Sequence, residues 1–259
     1  MLTSLQNPLI KDLRKLQKAK YRHQTDRLLL EGTHAIEEAH RANYPLDTVC
    51  VTEAWGDRYP ELADRLMQYA DRFEWVNEIA LASIATTNNP DGIIATAPRS
   101  GNHRPTLPFD GVGLALDTLQ DPGNLGTILR SAVGAGAAGL WLSQTCVDLD
   151  NPKVLRASAG AWFRLPMATG QDLSETIATA QAAGIRVVAT QMFADQSYWD
   201  YDWRQPSLML LGSEGAGLDP ALAAAADTSV SIPIESGVES LNVAIAASLL
   251  LFEACRQRR

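Results

Sequence analysis

Cysteine is scarce in this 259-residue chain. Cys50, Cys146 and Cys255 stand far apart, odd in number and with no CxxC pair among them. That excludes a disulfide framework and a cysteine-based zinc site, and it suits a reduced, cytoplasmic protein. Histidine is equally sparse: His23, His34, His40 and His103 share no metal-ligand spacing with the cysteines, so no metal is expected. Long apolar runs are missing too. The longest, within 241–255, is interrupted by Asn242, Ser248 and Glu253 and falls short of the roughly 20 residues that span a bilayer. The opening stretch, MLTSLQNPLIKDLRK, has no apolar segment after its basic residues and does not read as a signal peptide. What is present is the composition of an ordinary globular protein, 46% hydrophobic and 20% charged, long enough for one large domain or two modest ones.

A net charge of −8 argues at first against a nucleic-acid partner, but the distribution argues otherwise. Residues 1–30 hold seven basic side chains (Lys11, Arg14, Lys15, Lys18, Lys20, Arg22 and Arg27) against Asp12 and Asp26 alone. A local basic patch can hold a polyanion on an acidic protein, because the field that matters is the one where the phosphates lie. A solvated helix face would look the same.

Asn7-Pro8 is a helix start, with Asn7 capping and Pro8 in the first turn. Residues 1–27 read as a basic helical segment. Short strands and helices then alternate through 28–97, a small α/β unit. The proline-rich, polar stretch 98–108 reads as a linker. A second α/β region fills 109–259, with strands expected at 112–116, 140–142, 185–189, 208–211 and 230–232. Helices are expected at 125–135, 152–158, 173–183 and 241–256. These strands are continuous apolar runs, which suits a mostly parallel sheet covered on both faces. Gly134 to Gly139 spells GxGxxG, yet it follows a helix and precedes a strand. It is a helix C-cap and turn, not a dinucleotide site.

Three polar, glycine-bearing stretches follow strands, where ligands of open α/β sheets bind. In 117–130, Asn124 is a candidate cap for the helix that carries Arg130, and six residues, close to two turns, put both on roughly one side. In LLGSEGAGL, three glycines flank Glu214, as backbone does where it approaches a ligand closely. In IPIESGVESLNVAIAASLLLFEAC, a buried helix is expected with Glu239, Ser240 and Asn242 at its mouth and Ser240 as its N-cap.

DPGNLGTILRSAVGAG, LMLLGSEGAGL and IPIESGVESLNVAIAASLLLFEA resemble, in order and spacing, the three motifs of SpoU-type RNA 2′-O-ribose methyltransferases of the SPOUT superfamily. LDNPKVLRASAGAWFRLPM resembles the family segment between the first two motifs, and 28–97 its substrate-binding domain. The resemblance covers nearly the whole chain. It implies S-adenosylmethionine as methyl donor, structured RNA as substrate with ribosomal RNA favoured, a homodimer, and a C-terminal trefoil knot. Matched by position, Gly212, Ile232 and Leu241 would meet the cofactor, with Thr190 and Gln191 lining the same pocket. Arg130 would be the catalytic arginine, with Asn124, Glu214, Ser240 and Asn242 completing the site. A guanidinium does not give up its proton near neutral pH. Arg130 is therefore expected to grip a phosphate and steady the developing alkoxide while phosphate or solvent takes the proton. Glu214 could instead accept hydrogen bonds from loop amides. Tyr21, Trp55 and Tyr59 are candidate stacking residues. A transfer-RNA enzyme, a catalytically silent RNA-binding protein and a small-nucleotide binder stay open at this level.

Overall fold

The chain folds as two units in a computed structural model that describes residues 1–99, 104–213 and 215–259. One unit comprises Met1–Gly101 with Asp148–Phe163, the other Asn102–Val147 with Arg164–Arg259. In chain order the elements of the first are α1 (Pro8–Lys15), α2 (Ala19–Thr25), β1 (Arg27–Glu31), α3 (Thr33–Arg41), β2 (Thr48–Val51), α4 (Glu53–Arg58), α5 (Pro60–Tyr69), β3 (Arg72–Trp75), α6 (Glu78–Ile84) and β4 (Ile93–Pro98). Then come β5 (Val112–Leu116), α7 (Pro122–Ala135) and β6 (Leu140–Ser143) of the second unit, and α8 (Pro152–Ala157) back in the first. The second unit resumes with β7 (Met167–Gln171), α9 (Leu173–Ala182), β8 (Arg186–Thr190), β9 (Gln196–Ser197), β10 (Ser207–Leu211), α10 (Pro220–Ala225), β11 (Thr228–Ser231) and α11 (Val243–Arg258). Among the described residues no helix is long and apolar enough to cross a membrane. The three cysteines are free, and burial pushes the Cys50 thiol up to about 12, which keeps it an inert core residue.

The first unit has a four-stranded sheet, β1-β4-β2-β3, with β4 antiparallel to both neighbours. Asn7 caps α1 through its side chain as expected (Oδ1 to the Leu9 amide, 2.9 Å), and Ile10, Leu13 and Leu16 bury one face of the helical opening against Leu29, Leu81 and Ile84. Trp55 is core, not a stacking platform: it is buried, with its indole N–H donating to Thr33 (2.7 Å).

The segment 148–163 departs from the expectation that 109–259 forms one domain, since it belongs to the first unit. Charge pairing and an aromatic anchor explain this. Arg22, itself buried, reaches Asp148 at 2.5 Å, Arg99 reaches Asp150 at 2.5 Å, and Arg156 reaches Glu31 at 2.9 Å. Trp162 is fully buried edge-on to Tyr44, with ring centroids 5.8 Å apart. None of these partners is near in sequence, so local periodicity carries no trace of them.

Glu31 is the most demanding member of this set. It is 3% exposed and accepts bonds from the amides and hydroxyls of Thr86 and Thr87 as well as from Arg156. Burial opposes its charge, but the Thr86 and Thr87 donors and the Arg156 guanidinium outweigh burial, so its carboxyl lies below the ordinary 4.5. A depressed carboxyl contributes stability that is complete above its unfolded value and lost as pH falls through the folded one. Glu31→Ala should therefore cost about 1 to 2 kcal/mol at pH 7, because its hydrogen bonds are lost while the partly exposed donors turn to water. The deficit should shrink progressively below about pH 4.5 as the wild type loses the same contribution. Thermal melts of both proteins between pH 3 and pH 7 check this; a pH-independent difference would refute it.

The second unit is a seven-stranded sheet in the order β7-β6-β5-β10-β8-β11-β9, parallel at every pairing. Its interior strands are the apolar runs read from the sequence: β5 and β10 are buried at every position. The edge strand β7 was not expected. Its second half is exposed Thr169 and Gly170 and half-buried Gln171, so it lacks the apolar signature of a covered strand. The short β9 and helices α4 and α10 also went unanticipated, and the helical segment expected within 1–27 is divided into α1 and α2. β9, α4 and α10 are each too short to show a period. The glycine run closes α7 as expected, with Gly136 left-handed at the C-cap (φ 74°).

Candidate functional site

Because the sheet is parallel, the carboxyl ends of β8, β10 and β11 lie along one edge, and the loops that follow them enclose a cavity of about 370 Å³. All five residues expected to meet a cofactor line it: Thr190 and Gln191 after β8, Gly212 after β10, and Ile232 and Leu241 between β11 and α11. Ser240 lines it too. Sequence reasoning did not single out Met192, Ser213, Ile234, Val243 and Ala246, which also line it, as do Glu239 and the glycines of the loop after β10. The signal for the first three was their position beside predicted lining residues. Val243 and Ala246 had none, since inside an apolar helix they look like any other core residue.

Two features make the cavity a built site. The loop after β10 folds back on itself, Ser213 and Gly217 exchanging backbone hydrogen bonds at 3.1 and 3.0 Å. A Cβ on Gly212 would lie 2.0 Å from the Gly217 carbonyl, so only glycine lets the loop close. The second feature is the Thr190 hydroxyl oxygen, which is buried and has no hydrogen-bond partner among the described residues. An orphaned buried hydroxyl costs free energy unless something arrives to bond it. Here it belongs to a cavity-lining residue.

Beside the cavity the starts of α7 and α11 meet. Asn242, not Ser240, is the N-cap of α11: its Oδ1 accepts from the Ala244 and Ile245 amides at 2.9 and 3.3 Å. Two capping-competent residues stood two apart, and the helix begins at the second, leaving Ser240 free to face the cavity. The Asn242 amide group donates to Asn124 Oδ1 at 3.1 Å. Asn124 does not cap α7 either; Asp121 does, accepting from the Asn124 amide at 2.8 Å. An asparagine can accept at one end and donate at the other, so Asn242 both closes its own helix and ties it to α7. Two helix N-termini meeting this way favour an anionic group nearby.

Arg130 sits farther along α7. The helix is unbroken, and six residues at about 100° each turn Arg130 by about 120° from Asn124, so the two do not share a face. Its side chain is exposed and makes no hydrogen bond or ion pair among the described residues, free to reach a bound group. Glu214 lies outside the described residues. Farther down, Ser131 and Ser248 meet at 2.7 Å and hold α7 against α11.

Residues 111–252 match the SpoU rRNA Methylase family, and residues 7–95 match the MRM3-like substrate binding domain. An "uncharacterized tRNA/rRNA methyltransferase" of Synechocystis sp. is 43% identical over 99% of this chain and 94% of its own length. The 23S rRNA (guanosine(2553)-2′-O)-methyltransferase RlmP of Bacillus subtilis is 31% identical over 97% of both chains. Among solved structures, the SpoU methyltransferase AviRb of Streptomyces viridochromogenes, in complex with the cofactor AdoMet, superposes with a TM-score of 0.86. It is 30% identical over 98% of both chains.

Proposed function

The chain belongs to the SpoU rRNA Methylase family, and from that premise we propose that it transfers a methyl group from S-adenosylmethionine to a ribose 2′-hydroxyl of ribosomal RNA. The observation that carries this reading is the cavity at the ends of β8, β10 and β11, lined by every residue matched to cofactor binding. The residues fit S-adenosylmethionine. The Gly212–Gly217 loop offers backbone at close range, and Thr190 holds an unmet hydrogen bond. Bound there, the cofactor supplies an electrophilic sulfonium methyl; the protein's part is positioning and charge stabilisation.

That part falls to α7 and α11. The 2′-hydroxyl is a weak nucleophile and must lose its proton during attack. The Arg130 guanidinium stays charged and acts as an electrostatic clamp on the neighbouring phosphate and the developing alkoxide. The proton passes to phosphate or solvent. Asn124 and Asn242, held together at 3.1 Å, orient the ribose with neutral donors, and Ser240 faces the same space. Glu214 completes the set by its place in the second motif.

Ribosomal RNA is preferred over transfer RNA because the RlmP relative, named for 23S rRNA, aligns along the whole chain, substrate-binding domain included. A cytoplasmic place of action follows from that substrate. The family's trefoil knot belongs to the same reading and is supported by the return of the chain end, as α11, onto α7. So does a homodimer. Ile245, Leu249 and Phe252 form a stripe on α11, each between 38% and 52% exposed, a face that a second copy would cover. Sedimentation at micromolar concentration should give twice the mass of one chain, and Phe252→Asp should shift it toward one. A wild-type monomer would overturn the dimer.

The deciding experiment is transfer of labelled methyl from S-adenosylmethionine to unmodified ribosomal and transfer RNA. Label in ribosomal RNA is expected. Label in transfer RNA alone would overturn the substrate class, and absence of both label and cofactor binding would overturn the enzyme.

A further inference from the structure

Four of the seven basic residues that set residues 1–30 apart line a single groove of about 560 Å³ along α1 and the start of α2. Lys11 and Lys15 lie one turn apart on α1, Arg14 flanks them, and Lys18 follows in the turn before α2. Tyr21, half-buried, lines the same groove from α2. Gln17 fixes the turn by donating to the Ile84 and Ala85 carbonyls at the end of α6, both at 2.9 Å. The groove is therefore anchored to the core, not carried on a loose arm.

Its charge is left open. Lys11, Arg14 and Lys18 are exposed and make no ion pair among the described residues. Asp12, the one acid in the lining, is engaged by Lys15 at 2.8 Å. Other basic residues of the same stretch are committed elsewhere. Arg22 is buried against Asp148, and Arg27 pairs with Asp47 at 3.3 Å. The structure thus separates two populations that look alike in the sequence: Arg22 and Arg27, which pair with acids elsewhere in the unit, and Lys11, Arg14 and Lys18, which stand along the groove without an ion pair among the described residues.

Resting on the RNA-substrate reading above, we infer that this groove binds the sugar–phosphate backbone of the RNA, without regard to base sequence. From Lys11 to Lys18 the row extends about 10 Å at 1.5 Å of rise per residue, room for about two or three phosphates. The protein as a whole is acidic, so an RNA must be drawn to a local field, and Lys11, Arg14 and Lys18 set side by side along the groove supply one. A lipid surface fits poorly. The apolar side of α1 is already spent on the core through Ile10 and Leu13, leaving no face to enter a bilayer. Contacts of this kind set affinity and register, while base recognition must come from elsewhere.

The test compares the full chain with K11Q/R14Q/K18Q and with R186Q/R204Q/R259Q, which removes as many charges from exposed positions of the other unit, outside the basic stretch and the substrate-binding domain. The probes are an unmodified ribosomal RNA transcript and a scrambled transcript of equal length, with Kd measured from 50 to 200 mM salt. The groove variant should lose about 10- to 100-fold in affinity for both transcripts, and its log–log salt slope should be shallower by about 2 to 3. The control variant should stay within about threefold of wild type. Equal melting temperatures and S-adenosylmethionine affinity verify that the variants are folded. Wild-type affinity and slope in the groove variant, or an equal loss in the control, would overturn the groove. Binding needs no turnover, so this outcome is distinct from failure of the methyltransferase reading, which would show as tight RNA binding without label.

Discussion

Replacing Arg130 with alanine is expected to lower methyl transfer by about 10² to 10³-fold while leaving S-adenosylmethionine affinity within about twofold. The expectation rests on place. Arg130 is exposed on α7 and does not line the cavity, so its loss should remove charge from the reacting ribose and phosphate without disturbing the cofactor pocket. Among the described residues it makes no hydrogen bond or ion pair, so the melting temperature should hardly move. Arg130→Lys keeps the charge but not the planar fork and should recover only part of the rate. Single-turnover transfer at saturating RNA separates this loss from weakened binding. Turnover near wild type in Arg130→Ala would remove the residue from the mechanism.

Gly212→Ala should act on the other half of the site, and more severely. The new Cβ would meet Gly217 and Leu218 backbone atoms at 2.0 to 2.1 Å, where no side chain can rotate away. The loop would have to open, breaking the Ser213–Gly217 pair and taking a wall of the cavity with it. S-adenosylmethionine affinity should fall by at least about 100-fold, a loss of roughly 3 kcal/mol. RNA affinity should persist if the groove on α1 supplies it. Gly215→Ala is the matched control, since a Cβ there meets nothing within 4 Å. Calorimetric titration with S-adenosylmethionine reads both; equal affinities would show that the loop does not shape the pocket.

Much of this was legible before any coordinates. The interior strands of the second sheet announced themselves as apolar runs, and the loops after them as glycine and polar residues with no reason to be greasy. That placed the cavity. Finer assignments failed where two residues could do one job. Ser240 and Asn242 are both capping-competent residues, and only the backbone decides that Asn242 caps the helix and that Ser240 lines the cavity. The basic stretch could not be sorted by reading, because Arg22 becomes structural only through Asp148, 126 positions away. Edge strand β7 was missed for a related reason: half-exposed strands lose the apolar contrast that marks the interior ones.

The borrowing of residues 148–163 by the first unit has a consequence for the order of events during synthesis. Chains are made from the amino end at about 5 to 20 residues per second. When residue 101 has been added, the first sheet is complete, yet Glu31, Arg22 and Arg99 still lack the partners that Arg156, Asp148 and Asp150 provide. Those partners arrive only after the first strands and helix of the other unit have been made. The amino-terminal unit therefore waits, unfinished, for several seconds, and nascent chains arrested at residue 140 should be cut by protease within it far more readily than chains arrested well past residue 163. The two halves of this protein are written in sequence but not completed in sequence.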